Sequence, residues 1–111
     1  MLDLYRVNSL TEVVLEDGAI SCFDESDFVV GMDIEEFHAI KNAIQRKAHV
    51  DIGISYFADA VVDESQMALI HRTLQDIDEE DLSALEASGR RKLLLGTGKS
   101  ESKTKLIVIC D

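Results

Sequence analysis

The sequence predicts an α+β domain in which about three helices cover one face of a mostly antiparallel sheet. Three observations predict it. Apolar residues recur at spacings of three and four along 34–44 and again along 67–77, the period of helices with one buried stripe. Alternating or continuous β-branched runs occupy 50–56 and 105–110, the pattern of strands. An Asp-Gly pair at 17–18 lies between two apolar runs, which is the signal of a tight hairpin. Gathering helices on one face of an antiparallel sheet is the economical packing for that order of elements. The 111 residues suit a single domain, 1–111, long enough to bury roughly two thirds of the unfolded surface without staples.

The elements follow in order. Leu2–Val7 reads as a first strand, although its alternation is imperfect. Glu12–Phe23 reads as an N-terminal hairpin, because Gly18 after Asp17 supplies the positive φ of a tight turn. Asp24-Glu25-Ser26-Asp27 is a polar break, and Phe28-Val29-Val30 fits either a strand or the start of a helix. A helix spans about 33–48. Asp33 is its N-cap, with Glu36 three residues on in a capping-box arrangement. Ile34, Phe37, Ile40 and Ile44 form its stripe, and Glu35, Glu36 and then Arg46, Lys47 match the helix dipole at either end.

Val50, Ile52, Ile54 and Tyr56 alternate with polar residues and glycine, which predicts a strand near 50–56 with one wet face. Asp63 or Ser65 caps a second helix, whose apolar side is Met67, Ile70, Leu74 and Ile77. Asp78-Glu79-Glu80-Asp81 opens a third helix carrying Leu82 and Leu85, with Gly89 as its C′ residue. Lys92–Leu95 either prolongs that helix or forms a strand; a strand paired with 105–110 across a Gly/Ser/Thr/Lys loop is preferred. Leu106-Ile107-Val108-Ile109-Cys110 reads as a strand buried on both faces.

Hydrophobic residues make up 46% of the chain, which argues against disorder. With no Trp and no Pro, and aromatics at only 5%, the core must be aliphatic. The N-terminus carries Asp3 and no basic cluster before an apolar stretch, unlike a secretory signal. No apolar run approaches the roughly 20 residues of a membrane span. The expectation is a soluble, cytoplasmic protein with Cys22 and Cys110 reduced and buried.

Charge is the most informative property. Twenty-two Asp and Glu against eleven Lys and Arg give a net −11. Nine acids and no Lys or Arg lie between Val7 and Ile40; ten acids and only Arg72 lie between Asp51 and Glu86; six of the eleven basic residues fall between Arg90 and Lys105. Such blocks repel themselves and oppose compaction. Capping at Asp33, Asp63 and Asp78 accounts for part of the acid, but neutral polar residues would solvate the remaining positions with less repulsion. The excess therefore points to a basic protein partner. Direct DNA or RNA binding is disfavoured, since the basic stretch 90–105 lacks aromatics and the whole chain repels phosphate.

No motif supplies chemistry. Leu93-Leu94-Leu95-Gly96-Thr97-Gly98-Lys99-Ser100 imitates a phosphate loop, but Leu93 stands where the first glycine belongs and no helix follows. Registers starting at Asp24 or Asp76 fail the calcium-loop pattern at the glycine position, where Val29 and Asp81 stand. His38, His49 and His71 have no second histidine at ligand spacing, and no Ser or Cys sits in a nucleophile-elbow context. The expectation is a chain that is not an enzyme, with no catalytic residue, no metal and no cofactor.

The segment VDIGISYFADAVVDESQMALIHRTL (50–74) and the closing LIVICD (106–111), with the small size and acidity, resemble small bacterial immunity proteins of contact-dependent inhibition and other polymorphic toxin systems. The resemblance implies a cytoplasmic inhibitor that binds one cognate toxin domain, many of which are nucleases with basic grooves. An acidic inhibitor would imitate nucleic-acid charge and associate quickly. Candidate partner-binding residues are the acids Asp24, Glu25, Asp27, Glu35 and Glu36, or Asp76, Glu79 and Glu80, with Tyr56 and Phe57 as aromatic anchors. Two other readings compete: a phage or mobile-element protein that mimics DNA to inhibit a nucleic-acid-binding enzyme, and a small enzyme or ligand-binding domain, which requires a pocket joining at least two histidines and an acid.

Overall fold

The structure is a computed structural model that describes residues 1–10, 12–17, 19–20, 25–54, 58–98 and 103–110. It is α+β. Strands β1 (Leu2–Asn8), β4 (Phe28–Met32), β5 (Ala60–Val62) and β6 (Thr104–Cys110) form an antiparallel sheet ordered β4-β1-β6-β5. Helices α1 (Ile34–Ala48), α2 (Glu64–Asp76) and α3 (Ala84–Thr97) cover one face. A separate two-stranded hairpin, β2 (Leu15–Glu16) and β3 (Ala19–Ile20), lies beneath the other. Among the described residues no helix is long and apolar enough to cross a membrane.

The two faces follow from strand alternation. Leu2 and Leu4 of β1, and Leu106 and Val108 of β6, join the core under the helices; Tyr5, Val7, Ile107 and Ile109 point the other way and pack with Ile20 and Val13. Leu106–Ile109 is thus buried on both faces, as its unbroken apolar run predicts. The helical stripes also fall where their spacing puts them, except that Ile34, the first residue of the expected α1 stripe, is exposed. Phe37, Ile40, Ala43 and Ile44 of α1 and Met67, Ile70 and Leu74 of α2, followed by Ile77, are buried.

Three expectations fail. First, residues 50–54 form no strand, and the sheet takes 60–62 instead. Gly53 sits at φ 72 and its amide donates to Asp51 Oδ1, a local turn that no ladder tolerates. Ile52 and Ile54 are still buried, but their carbonyls accept from Gln66 Nε2 at 3.0 Å and Lys41 Nζ at 2.8 Å. Helix side chains satisfy this segment in place of a neighbouring strand. Second, the expected hairpin is present, with Leu15 opposite Ile20 and Asp17 at φ 51, but it forms a sheet of its own and does not join the main one.

Third, α3 neither opens at Asp78 nor stops at Gly89. Glu79–Asp81 is a separate 3-10 turn, and α3 starts at the Ser83 N-cap, whose box with Glu86 is complete. The helix then runs through Gly89 to Thr97, so 92–95 is helical and pairs with no strand. Gly89 serves close approach to α1: a Cβ there would lie 2.6 Å from the Glu36 carbonyl oxygen and 3.0 Å from Ile40. Its absence of a side chain is a packing requirement between helices, not a stop signal.

Candidate partner-binding surface

The basic residues explain why the acid excess reaches the surface. Among the described residues, Arg6, Lys41, Arg46, Arg90, Arg91 and Lys92 are tied to groups within the fold, and three of these hold main-chain carbonyls, which cancels no carboxylate. Arg6, facing the helices from the middle of β1, donates to Gly96 O and Gly98 O at 2.9 Å each and to Thr104 Oγ1. It caps the C-terminal end of α3, where a cation is favoured. Burial lowers its pKa from the usual arginine range. Lys41 donates to Ile54 O and lies 5.8 Å from the Phe37 ring centre. Arg90 Nε donates to Leu74 O at the end of α2.

The other three pair with acids. Lys92 meets Glu36 at 2.6 Å, Arg46 meets Glu86 at 3.0 Å and Arg91 meets Glu79 at 3.6 Å. The first two form a reciprocal latch between α1 and α3. Each helix presents the Glu of its own first turn to a cation on the other helix. Glu36 Oε1 accepts from Lys92 and from the Asp33 amide, while Oε2 accepts from Ser88 Oγ. Burial alone would raise the pKa of Glu36. The bonds from Lys92, Ser88 and the Asp33 amide, with the charge of Lys92, outweigh burial and hold it below its ordinary value. Glu86 is held low chiefly by the Ser83 amide, against a smaller opposing effect of burial and with help from Arg46.

Glu36 is therefore withdrawn from the set of partner-binding acids: it is 5% exposed and its oxygens are engaged inside the protein. Glu35, one residue earlier, is exposed, and Asp27 is half-buried just before β4. Asp76, Glu79 and Glu80 are exposed. Asp24, the Glu25 side chain, Tyr56 and Phe57 lie outside the described residues, as does Cys22.

The surviving acids fall into two patches at opposite ends of α1. Asp33 and Glu35 stand at its N-terminus beside β4. Asp76, Asp78, Glu79, Glu80 and Asp81 stand near its C-terminus, where Lys47, Ala48 and Val50 line a shallow cleft with Leu69, Arg72, Thr73, Asp76, Ile77, Asp78 and Asp81. Fifteen helical residues separate them, about 22 Å at 1.5 Å per residue. The cleft has a volume of about 620 Å³, with apolar side chains flanked by three carboxylates and two cations.

The two patches differ in what the fold requires of them. Acids at the N-terminus of α1 suit its dipole. The run 76–81 is placed differently. Asp76 lies in the last turn of α2, which has no basic residue of its own although Arg90 of α3 donates to Leu74 O there; Asp78–Asp81 lie past the Ile77 cap. Asp78 caps the short turn by accepting from Glu80 N, and Glu79 has its exposed pairing with Arg91. Asp76, Glu80 and Asp81 answer to no such local need.

Sequence reasoning did not identify Arg6, Asp59 or the Glu36–Lys92 pair as structural. Asp59 accepts from Ile20 N and from Cys110 N, at 2.7 Å each, and so ties the hairpin to the end of β6. Cys110 Sγ donates to Ala58 O beside it. A sequence signal exists only for Arg6, which occupies the inward position after Leu2 and Leu4 in the alternation of β1. Among the described residues no group of three His, Cys, Asp or Glu could hold a metal ion, and the cleft contains no histidine. No protein-family model, curated protein or solved structure matches the chain.

Proposed function

We propose that this chain is an immunity protein that binds and neutralises a cognate toxin domain, a nuclease with a basic substrate groove, through an acidic surface in the cytoplasm. One observation carries the reading. Five exposed carboxylates crowd positions 76–81, at and just beyond the C-terminal end of α2, where they repel one another. The fold's own cations relieve this only in part: Arg90 donates to Leu74 O, Arg91 pairs with Glu79, and Lys47 and Arg72 line the same cleft. A basic groove approaching this end of the molecule removes the repulsion and is drawn in by the field. The adjoining cleft offers Leu69, Val50 and Ile77 to the stem of an inserted Lys or Arg whose head meets Asp76, Asp78 or Asp81.

The reading makes an unusual prediction about Asp76→Lys combined with Glu80→Lys. A cation in the last turn of α2 suits the dipole, so the variant should be as stable as the parent or gain about 0.3–1 kcal/mol. Its association with the toxin domain encoded beside it should slow about tenfold or more at low salt, and co-expression should no longer protect growth. The parent's association should itself slow as salt shortens the screening length from roughly 10 Å at 0.1 M to about 3 Å at 1 M. An unchanged low-salt association rate in the doubly reversed variant sinks the reading.

A further inference from the structure

The two edges of the sheet are not equally guarded. β5 is three residues long, with Asp59 and Asp63 just outside it, and short charged edges resist pairing with other chains. β4 is five residues long and reads Phe-Val-Val-Gly-Met, without a charge. Among the described residues it pairs with β1 alone, leaving its other side at the border of the sheet. A bulge interrupts its register between Leu4 and Tyr5, but Val30–Met32 stay in regular register. Apolar side chains are exposed along it: Phe28 at 49%, Val29 at 36% and, just past its end, Ile34 at 38%. Met1 packs beside Gly31, so that a Cβ there would lie 3.4 Å from its sulfur, and joins Ile34, Asp33 and Glu35 around a small hollow. Asp27 stands before the strand, and Asp33 and Glu35 after it.

We propose that β4 is a docking edge: an extended segment of the basic partner adds outside it as a fifth strand, with apolar residues in its middle and Lys or Arg at its ends. Main-chain bonds to the open side of β4 supply affinity, and alternate side chains reach Phe28, Val29 and Ile34. The basic ends meet Asp27 at one side and Asp33 with Glu35 at the other. The same charges argue against a second copy of this chain as occupant. In an antiparallel pair of β4 strands centred on Val30, Asp27 of each copy would face Asp33 of the other, between molecules each carrying −11. The proposal rests on the acidic-surface reading for the sign of the partner's charge, but it places the main-chain contact at the patch remote from 76–81.

The test uses the full chain and the peptide Lys-Lys-Val-Thr-Val-Thr-Val-Lys-Lys, with a version carrying Glu in place of every Lys. Amide exchange and chemical shifts are followed through titration. The expected result is slowed exchange confined to 28–32 and the facing β1 residues with the basic peptide, and none with the acidic one. Val29→Lys and Ile34→Lys should each weaken binding about tenfold, while Asp76→Lys with Glu80→Lys leaves it within about twofold. Two separate positions are used because Val29 lies at the bulge; Ile34 is the first residue of α1. Protection that appears without peptide as concentration rises would identify a second copy as the occupant and overturn the proposal. So would peptide effects that map to 76–81, or an absence of protection in β4. Either result leaves standing a salt-dependent association lost on reversal at 76 and 80, so the two ideas fail separately.

Discussion

Replacing Glu36 should damage the fold far more than replacing its neighbour Glu35, although the two are indistinguishable as acids in a first helical turn. Glu36→Ala removes the bond from Lys92, that from Ser88 Oγ and that from the Asp33 amide. All three bonds end on an ionised carboxylate and are charge-assisted, at about 1.5–3 kcal/mol each, so the bonds lost sum to roughly 4.5–9 kcal/mol as an upper bound. The Lys92 side chain is one third exposed, so its ammonium recovers water once abandoned. That places the cost near 3 kcal/mol, the low end for breaking a buried pair. An unfolding entropy of about 2.1 cal/mol/K per residue over 111 residues converts this to a fall in Tm of roughly 13 °C. Glu35→Ala should move Tm by no more than about 2 °C.

Glu36→Gln separates charge from geometry. It keeps an acceptor for the Asp33 amide and loses the ion pair, so its cost should be about half that of Ala. The pH dependence gives an independent check. The folded pKa of Glu36 is held below the ordinary 4.5, so its contribution is fully present above the unfolded value. It is lost as pH falls through the lower folded value. Glu86 acts in the same direction. Urea titrations at a series of pH values should show the parent losing stability below about pH 4.5 more steeply than Glu36→Gln. If Glu36→Ala unfolds within about 1 kcal/mol of the parent, the latch contributes little and Glu36 returns to the pool of surface acids.

Two further outcomes test the packing that positions the surface. Gly89→Ala removes a helix-interior glycine, worth about 1 kcal/mol in propensity, yet it should destabilise by about 1–3 kcal/mol, because the new methyl meets the backbone of α1; a stabilised variant in thermal unfolding would contradict the close contact. Arg6→Lys should cost about 2 kcal/mol in urea unfolding, because an ammonium cannot hold Gly96 O, Gly98 O and Thr104 Oγ1 together; a silent substitution would mean that charge alone, and not the guanidinium fork, caps α3.

Much of the fold was legible where one local pattern had no rival. The α1 stripe from Phe37 to Ile44 and the continuous apolar run of β6 each have one physical reading, and the structure agrees with both; of the two caps open to α2, Asp63 and Ser65, it uses Asp63. The failures occur where two local signals compete. At 50–54 alternation implied a ladder, but alternation only requires that Ile52 and Ile54 be buried, and Gln66 and Lys41 can satisfy the backbone as well as a strand. At Gly89 the same residue type serves helix ends and helix crossings. Only the α1 backbone, some fifty positions away in sequence, decides between them.

The charge pattern was legible in quantity but not in assignment. Counting acids identifies an excess; it does not separate those that brace helices from those left facing outward. Glu36 and Asp59 look like members of the surplus and are internal fasteners. The distinguishing property is electrostatic setting. Acids at the N-terminus of α1 have reason to be there in an isolated monomer, whereas those at 76–81 crowd one another, and Asp76 also lies in the last turn of α2, where the helix dipole resists it. On the proposed reading, such a set is kept for a basic partner. Function is accordingly sought at 76–81, where removing charge should improve the monomer and impair its association, and not at the acids whose removal unfolds it.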